Sequence, residues 1–178
     1  LKEKSRELEN IFETSGPICI TDMDYNIIRA NKAYEETFGD LLNQERIKCH
    51  DSRLGTSCNT EVCPVQMVKK GASEPFAQEV EKSDKDGNKK WFIINSKPYY
   101  DDSGTPIGVI EKFQDISERK EIENHLVESE KRFRSYIENS PDGIFVADSE
   151  GNYLDVNDAG TKMTGYSKQE LLKLNISD

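Results

Sequence analysis

The chain has 178 residues, of which 24 are Lys or Arg and 34 are Asp or Glu, for a net charge of -10. That balance argues against binding nucleic acid by phosphate neutralisation, which needs a basic stripe, and it disfavours an anionic membrane surface. Hydrophobic residues (34%) suffice for a core, but no apolar run approaches the ~20 residues that cross a bilayer.

No secretory leader is legible at the start. Leu1 is not a natural initiator, and the chain reads as an excised piece of something longer. Residues 1–14 are a helical lead-in. ICIT, residues 18–21, is a short β-rich run; DMDYN turns the chain, and IIRAN returns it as the second arm of a hairpin. Asn31 then stands where a helix N-cap belongs, before KAYEETFG, and Gly39 stops that helix. Next comes KCHDSRLGTSCNTEVCPVQM, which gathers Cys49, His50, Cys58 and Cys63.

Three more strands are expected. FAQEVEK alternates from Phe76 to Lys82, with Asp86-Gly87 at the tip of the following turn. WFIINSKPYY is apolar at every position from Trp91 to Ile94, the pattern of a strand covered on both faces. After DDSGTP, IGVIEKFQD supplies the last strand. Hairpin joins give antiparallel pairing, so the helices between the two strand groups cover one face of the sheet.

From Asp115 to Asn139 there is neither Gly nor Pro, which predicts a helix. Ile122, Leu126, Ser129, Phe133 and Tyr136 follow a four-three-four-three spacing. Such a seam suits a paired coiled coil; the alternative is a single helix resting its stripe on its own domain. Asp115 or Ser117 can cap its start.

Beyond it the first motif returns. A shift of 126 positions, the distance from Ile11 to Ile137, superposes Ile18 on Ile144, Asp22 on Asp148 and Asn26 on Asn152. It also superposes Asn31 on Asn157, Ala33 on Ala159 and Gly39 on Gly165. So long a period means two copies of a domain rather than a solenoid.

TSGPICITDMDYNIIRANKAYEETFG with its echo, the Trp strand with its Asp-Gly turns, the closing DISERK, and the joint ESEKRFRSYIENSPDGIF together resemble the PAS sensor domains. The resemblance implies an α+β fold: a five-stranded antiparallel sheet with helices on one face, then a helical coiled-coil linker and a partial second PAS domain. The divisions are 1–14 lead-in, 15–116 first PAS domain, 117–138 linker, and 139–178 the beginning of the second. It also implies a sensory or dimerising module, most commonly ahead of a histidine kinase in a two-component system. On this reading the segment is cytoplasmic, whether or not its parent is membrane-anchored, and touches neither nucleic acid nor membrane. The second copy stops after its first helices. About 45 residues is near the lower limit for independent folding, so it is expected to pack on a second chain. The expected partners are therefore a homodimer mate and the parent's kinase or output domain.

Within that frame the last strand feeds the linker through Asp115, Ile116 and Ser117, the expected signal relay. Pocket candidates are Phe38, Leu42, Val65, Met67, Val68, Phe76 and Trp91, residues that equally describe a filled core. The cysteine segment resembles a Cys-rich insertion of some microbial PAS sensors. Cys49, Cys58, Cys63 and His50 could hold zinc or an iron–sulfur cluster, two of the thiols could form a redox-switched disulfide, or all could simply pack. Cys19, mid-strand and pointing at the helices, is a fourth thiol or a small buried residue. A Cys-ligated redox protein and a ligand-free structural dimerisation module are the rival readings. Catalysis finds no support: no phosphate-cradling Gly loop is present, Asp101-Asp102 sits in a turn, and His125 lies on the linker helix outside any acceptor motif.

Overall fold

A computed structural model describes residues 2–40 and 47–178. The chain divides into two units, Leu1–Lys120 and Glu121–Asp178. The first runs α1 (Lys2–Thr14), β1 (Ile18–Asp22), β2 (Ile27–Ala30), α2 (Lys32–Phe38), α3 (Cys49–Ser52), α4 (Pro64–Lys69), β3 (Phe76–Ser83), β4 (Lys89–Tyr100) and β5 (Pro106–Asp115). Its strands form one antiparallel sheet of five in the order β2-β1-β5-β4-β3. The last strand in sequence is therefore the middle strand in space, with Glu111 opposite Cys19 and Phe113 opposite Ile94.

One device turns the hairpins. The Asp22 carboxylate accepts the Asp24 and Asn26 N–H groups at 2.9 and 2.8 Å and the Asn26 amide at 2.7 Å. Asp84 does the same for Asp86 and Asn88, and Asp101 for Ser103 and Thr105. Each is an aspartate turn that a chain can form locally, before the sheet exists. The residue ahead of the closing position takes a left-handed φ. Gly87 and Gly104 do so freely, whereas Tyr25 adopts φ 69 with a full side chain. Its ring is held by an edge contact to His50, by the Lys69 ammonium at 4.6 Å, and by a hydrogen bond from Gln66 to its hydroxyl.

The inner face of the sheet and the helices enclose two apolar clusters. One joins Cys19, Tyr34, Phe38, Val80, Phe92, Ile94 and Phe113; the other joins Cys63, Val65, Val68 and Val109. Alternation along β4 decides who enters: Phe92 and Ile94 are buried, and Trp91 is 38% exposed on the opposite face. The expectation that this strand is covered on both sides is thus corrected. A period of two places the indole on the face opposite Phe92, Ile94 and the core they join.

The second unit holds most of α5 (Ser117–Glu138), the hairpin β6 (Phe145–Ala147) and β7 (Tyr153–Val156), α6 (Asp158–Thr164) and α7 (Lys168–Leu171). Its Asp148 turn reproduces that of Asp22, with Gly151 at φ 86 where the first copy has Tyr25. Among the described residues no helix is long and apolar enough to cross a membrane.

The repeated asparagine has a structural meaning. Asn31 caps α2 by accepting from Tyr34 N at 3.0 Å, and also accepts from Ile18 N. Its amide donates to the carbonyls of Phe12, Ser15 and Gly16 just after α1 or in its last turn. Asn157 does likewise, accepting from Gly160 and Ile144 and donating to Ile137 and Asp142. One buried amide therefore ties the preceding helix end, the first strand and the next helix together, satisfying backbone groups that a helix terminus leaves open.

Candidate functional site

Between the sheet and the short helices lies a buried ion pair. Glu111 shares its face of β5 with Val109 and Phe113, so alternation carries its carboxylate inward, to 4% exposure. Arg53, just past α3, meets it there at 2% exposure. One Nη of Arg53 donates to Glu111 Oε2, the other to Tyr34 Oη at 2.6 Å. The guanidinium lies 4.9 Å from the centre of the Phe113 ring and 5.4 Å from that of Tyr34. Thr21 Oγ1 donates to Glu111 at 3.4 Å, Cys19 Sγ lies 3.9 Å from the same oxygen, and Tyr34 Oη is 3.2 Å from Ser52 Oγ.

Taking both charges out of water costs several kcal/mol per ion, which only close pairing and full hydrogen bonding offset. Burial by itself would discharge Arg53, but the groups facing it, Cys19 and Glu111 first, hold its pKa well above the ordinary value. The guanidinium therefore stays charged. Burial also drives the phenol of Tyr34 upward, so it remains a neutral donor and acceptor.

The cysteines separate into two kinds. Burial pushes the Cys19 thiol up to about 12 and the Cys49 thiol up to about 11, so both are protonated near neutrality. Cys63, at the entry to α4, packs with Val65, Val68 and Val109. Cys58 is only partly buried, with Lys82 Nζ donating to its sulphur at 3.1 Å. All four are free thiols. Among the described residues no three His, Cys, Asp or Glu side chains converge as a metal would require, so Cys49, Cys58, Cys63 and His50 as placed do not fit a zinc or cluster site. His50 instead sets its ring edge-on to Tyr25, with Nε2 4.0 Å from Asp51.

The expected pocket residues do not form one wall. Phe38 belongs to the first cluster; Val65 and Val68, with Phe76 against them, belong to the second. Met67 is half-buried on α4, Trp91 faces away, and Leu42 lies outside the described residues.

At the junction, Asp115 Oδ1 accepts from Ser117 N at 2.9 Å and caps α5, while its other oxygen lies 3.7 Å from Lys90 Nζ. Ser117 Oγ accepts from Trp91 N, and buried Ile116 donates to Trp91 O at 2.8 Å. Glu79 of β3 takes Arg119 at 2.9 Å and Lys120 at 2.7 Å, and Lys120 Nζ lies 5.4 Å from the centre of the Trp91 ring. The first turn of α5 is thus strapped to the sheet's outer face.

Neither Arg53 nor Glu111 is among the residues expected from the sequence. For Glu111 a signal existed, since it keeps the parity of Val109 and Phe113; for Arg53, in a loop, there was none.

The comparisons with known proteins bear on the fold. A family model described as PAS fold matches residues 12–121, and a second PAS model matches residues 131–178. Among solved structures, the PAS domain of an HTR-like protein from Haloarcula marismortui is 22% identical, with a TM-score of 0.53, covering 65% of this chain and 100% of its own. The PAS domain of a Colwellia psychrerythraea protein is 20% identical with a TM-score of 0.54, covering 65% of this chain and 98% of its own. An RNA-binding Light-Oxygen-Voltage receptor is 14% identical with a TM-score of 0.55, covering 75% of this chain and 38% of its own. At such identities the likeness is one of fold. No curated protein matches the chain.

Proposed function

The chain belongs to the PAS fold family, and from that premise we propose how its sensory module works: the interior cluster around Arg53 and Glu111 is the signal-responsive element, and β5 is its conductor. One observation carries the reading. Glu111 and Asp115 stand four residues apart on one strand, the central one, and Asp115 is its last residue, joined through Ile116 to Ser117 at the start of α5. A ligand or oxidant that strengthens or breaks the Arg53–Glu111 pair changes the force on β5. Because Asp115 caps α5 and Ser117 ties it to β4, that force reaches the helix as a change of tilt or rotation. Such a device needs two packings separated by a few kcal/mol, biased by what binds one of them better.

The output is a second element of the proposal. Ile122, Leu126, Phe133 and Tyr136 of α5 are 63–69% exposed, an apolar seam that a second copy of the helix would cover. On this reading the parent is a dimeric sensor histidine kinase of a two-component system, and this segment has no catalytic site of its own. The test uses the full-length parent. Asp115→Ala and Ile116→Ala should disconnect output from stimulus while the sheet stays folded. Unchanged regulation in both variants overturns the relay, and light scattering that finds only monomer overturns the seam.

A further inference from the structure

The cysteine segment runs beside β3 as a short extra edge. Thr56 N donates to Glu81 O at 3.3 Å, Ser83 N donates to Leu54 O at 3.0 Å, and Gly55 forms a bridge with Lys82. A Cβ on Gly55 would lie 2.3 Å from Glu81 O and 2.4 Å from Lys82 Cδ, so only glycine lets the loop close this far. Beneath that lid Lys82 is 5% exposed, and its ammonium meets Cys58 Sγ at 3.1 Å. Among the described residues no carboxylate pairs with it. The adjacent Glu81 is taken by Lys89 at 2.8 Å. Lysines are almost never so buried without a partner, and here the partner is a sulphur. Cys58 itself is only partly buried, so a small oxidant can reach it, whereas Cys19, Cys49 and Cys63 are buried.

We propose that Cys58 and Lys82 form a reversible oxidation site, at which hydrogen peroxide joins the Cys58 sulphur to the Lys82 side-chain nitrogen. Cys58 as the thiolate attacks one peroxide oxygen. The S–O bond forms, the O–O bond breaks, and the departing hydroxide takes a proton from the Lys82 ammonium and leaves as water. Sulphur has then given two electrons to peroxide, and Lys82 is a neutral amine beside a sulfenic acid. The amine attacks that sulphur: the S–N bond forms, the S–O bond breaks, and the hydroxyl leaves as water with one of the nitrogen's hydrogens. Two equivalents of a small thiol reverse the link. The first displaces the amine to give a mixed disulfide, and the second frees Cys58 as the reductant is oxidised to its own disulfide.

The inference rests on the loop geometry and stands or falls apart from the sensory reading. Its test treats the full chain with hydrogen peroxide, digests it with trypsin without reduction, and maps the peptides by mass spectrometry. The expected result is loss of two hydrogens, the Cys58 and Lys82 peptides joined, no cleavage after Lys82, and recovery of both with dithiothreitol. Cys58→Ser should abolish the link. Lys82→Arg, which keeps the charge, should leave Cys58 carrying oxygen adducts instead. Oxygen adducts on wild-type Cys58 with normal cleavage after Lys82, a disulfide from Cys58 to another cysteine, or no reaction at Cys58 would each overturn the proposal.

Discussion

The buried pair offers the sharpest test of the interior. Replacing Glu111 with Ala removes the carboxylate and strands Arg53, which is 2% exposed and, among the described residues, keeps the Tyr34 hydroxyl and two aromatic faces. An uncompensated buried charge costs about 3–5 kcal/mol. With a urea slope of roughly 1.5 kcal/mol/M, the midpoint should fall by about 2–3 M. Arg53→Ala should cost a similar amount, because it leaves the Glu111 carboxylate with little more than the Thr21 hydroxyl. The double variant Arg53→Met/Glu111→Leu fills the same space without either charge and should recover most of the loss. The protein supplies its own probe: Trp91 is the only tryptophan, lies in the first unit, and reports that unit's unfolding by fluorescence. Single variants that lose less than about 1 kcal/mol, or a double variant as unstable as the singles combined, would refute the idea that the two charges depend on each other.

Other expectations follow from the same structure. Asn31→Ala, which breaks five hydrogen bonds of one side chain, should destabilise the first unit by about 2–4 kcal/mol and leave the second unchanged; Asn157→Ala should do the reverse, and hydrogen exchange resolves the two. The raised thiols set an alkaline limit. Cys19 and Cys49 move from 9.0 to about 12 and about 11, so folding favours their neutral forms. That contribution is whole below pH 9.0 and is lost as pH rises through about 11 and about 12. Urea midpoints should therefore fall more steeply between pH 9.0 and about 11 in the wild type than in Cys19→Ala/Cys49→Ala. At the junction, Lys120→Ala uncovers the Trp91 ring and should shift its emission to the red with little loss of stability.

What could be read in advance was local chemistry. The Asp22 and Asp148 turns, the Asn31 and Asn157 caps, the glycines that end α2 and α6, and the unbroken run that became α5 all depend on residues a few positions apart. The sheet followed because hairpin turns fix antiparallel neighbours. What escaped depended on long-range placement. The pairing of β1 with β5 brings Cys19 opposite Glu111, and only then does a loop arginine acquire a reason to be buried. Trp91 misled for a related reason: four successive apolar residues look alike from either face, and the register with Glu81 and Asp115's neighbours settles which two turn inward. The cysteine cluster was legible as a short-range pattern, but the surroundings of its members were not: Cys58 meets Lys82 of β3, and Cys63 packs with Val65, Val68 and Val109.

Those neighbours give the segment around Cys49–Cys63 its character. Arg53 anchors it to β5, the strand that enters α5. Lys82 anchors it to β3 through Cys58, and Glu79 of that same strand holds the first turn of α5 through Arg119 and Lys120. Val65 and Val68 of α4, just beyond Cys63, pack with Val109 of β5. A displacement of the loop cannot be absorbed at one anchor alone, since close-packed interiors rearrange between discrete states rather than stretch. Both anchors lead by a few residues to the two places where α5 is fastened. On the proposed relay, that gives a segment whose first four residues form the single turn α3 a hold on the helix through both strands.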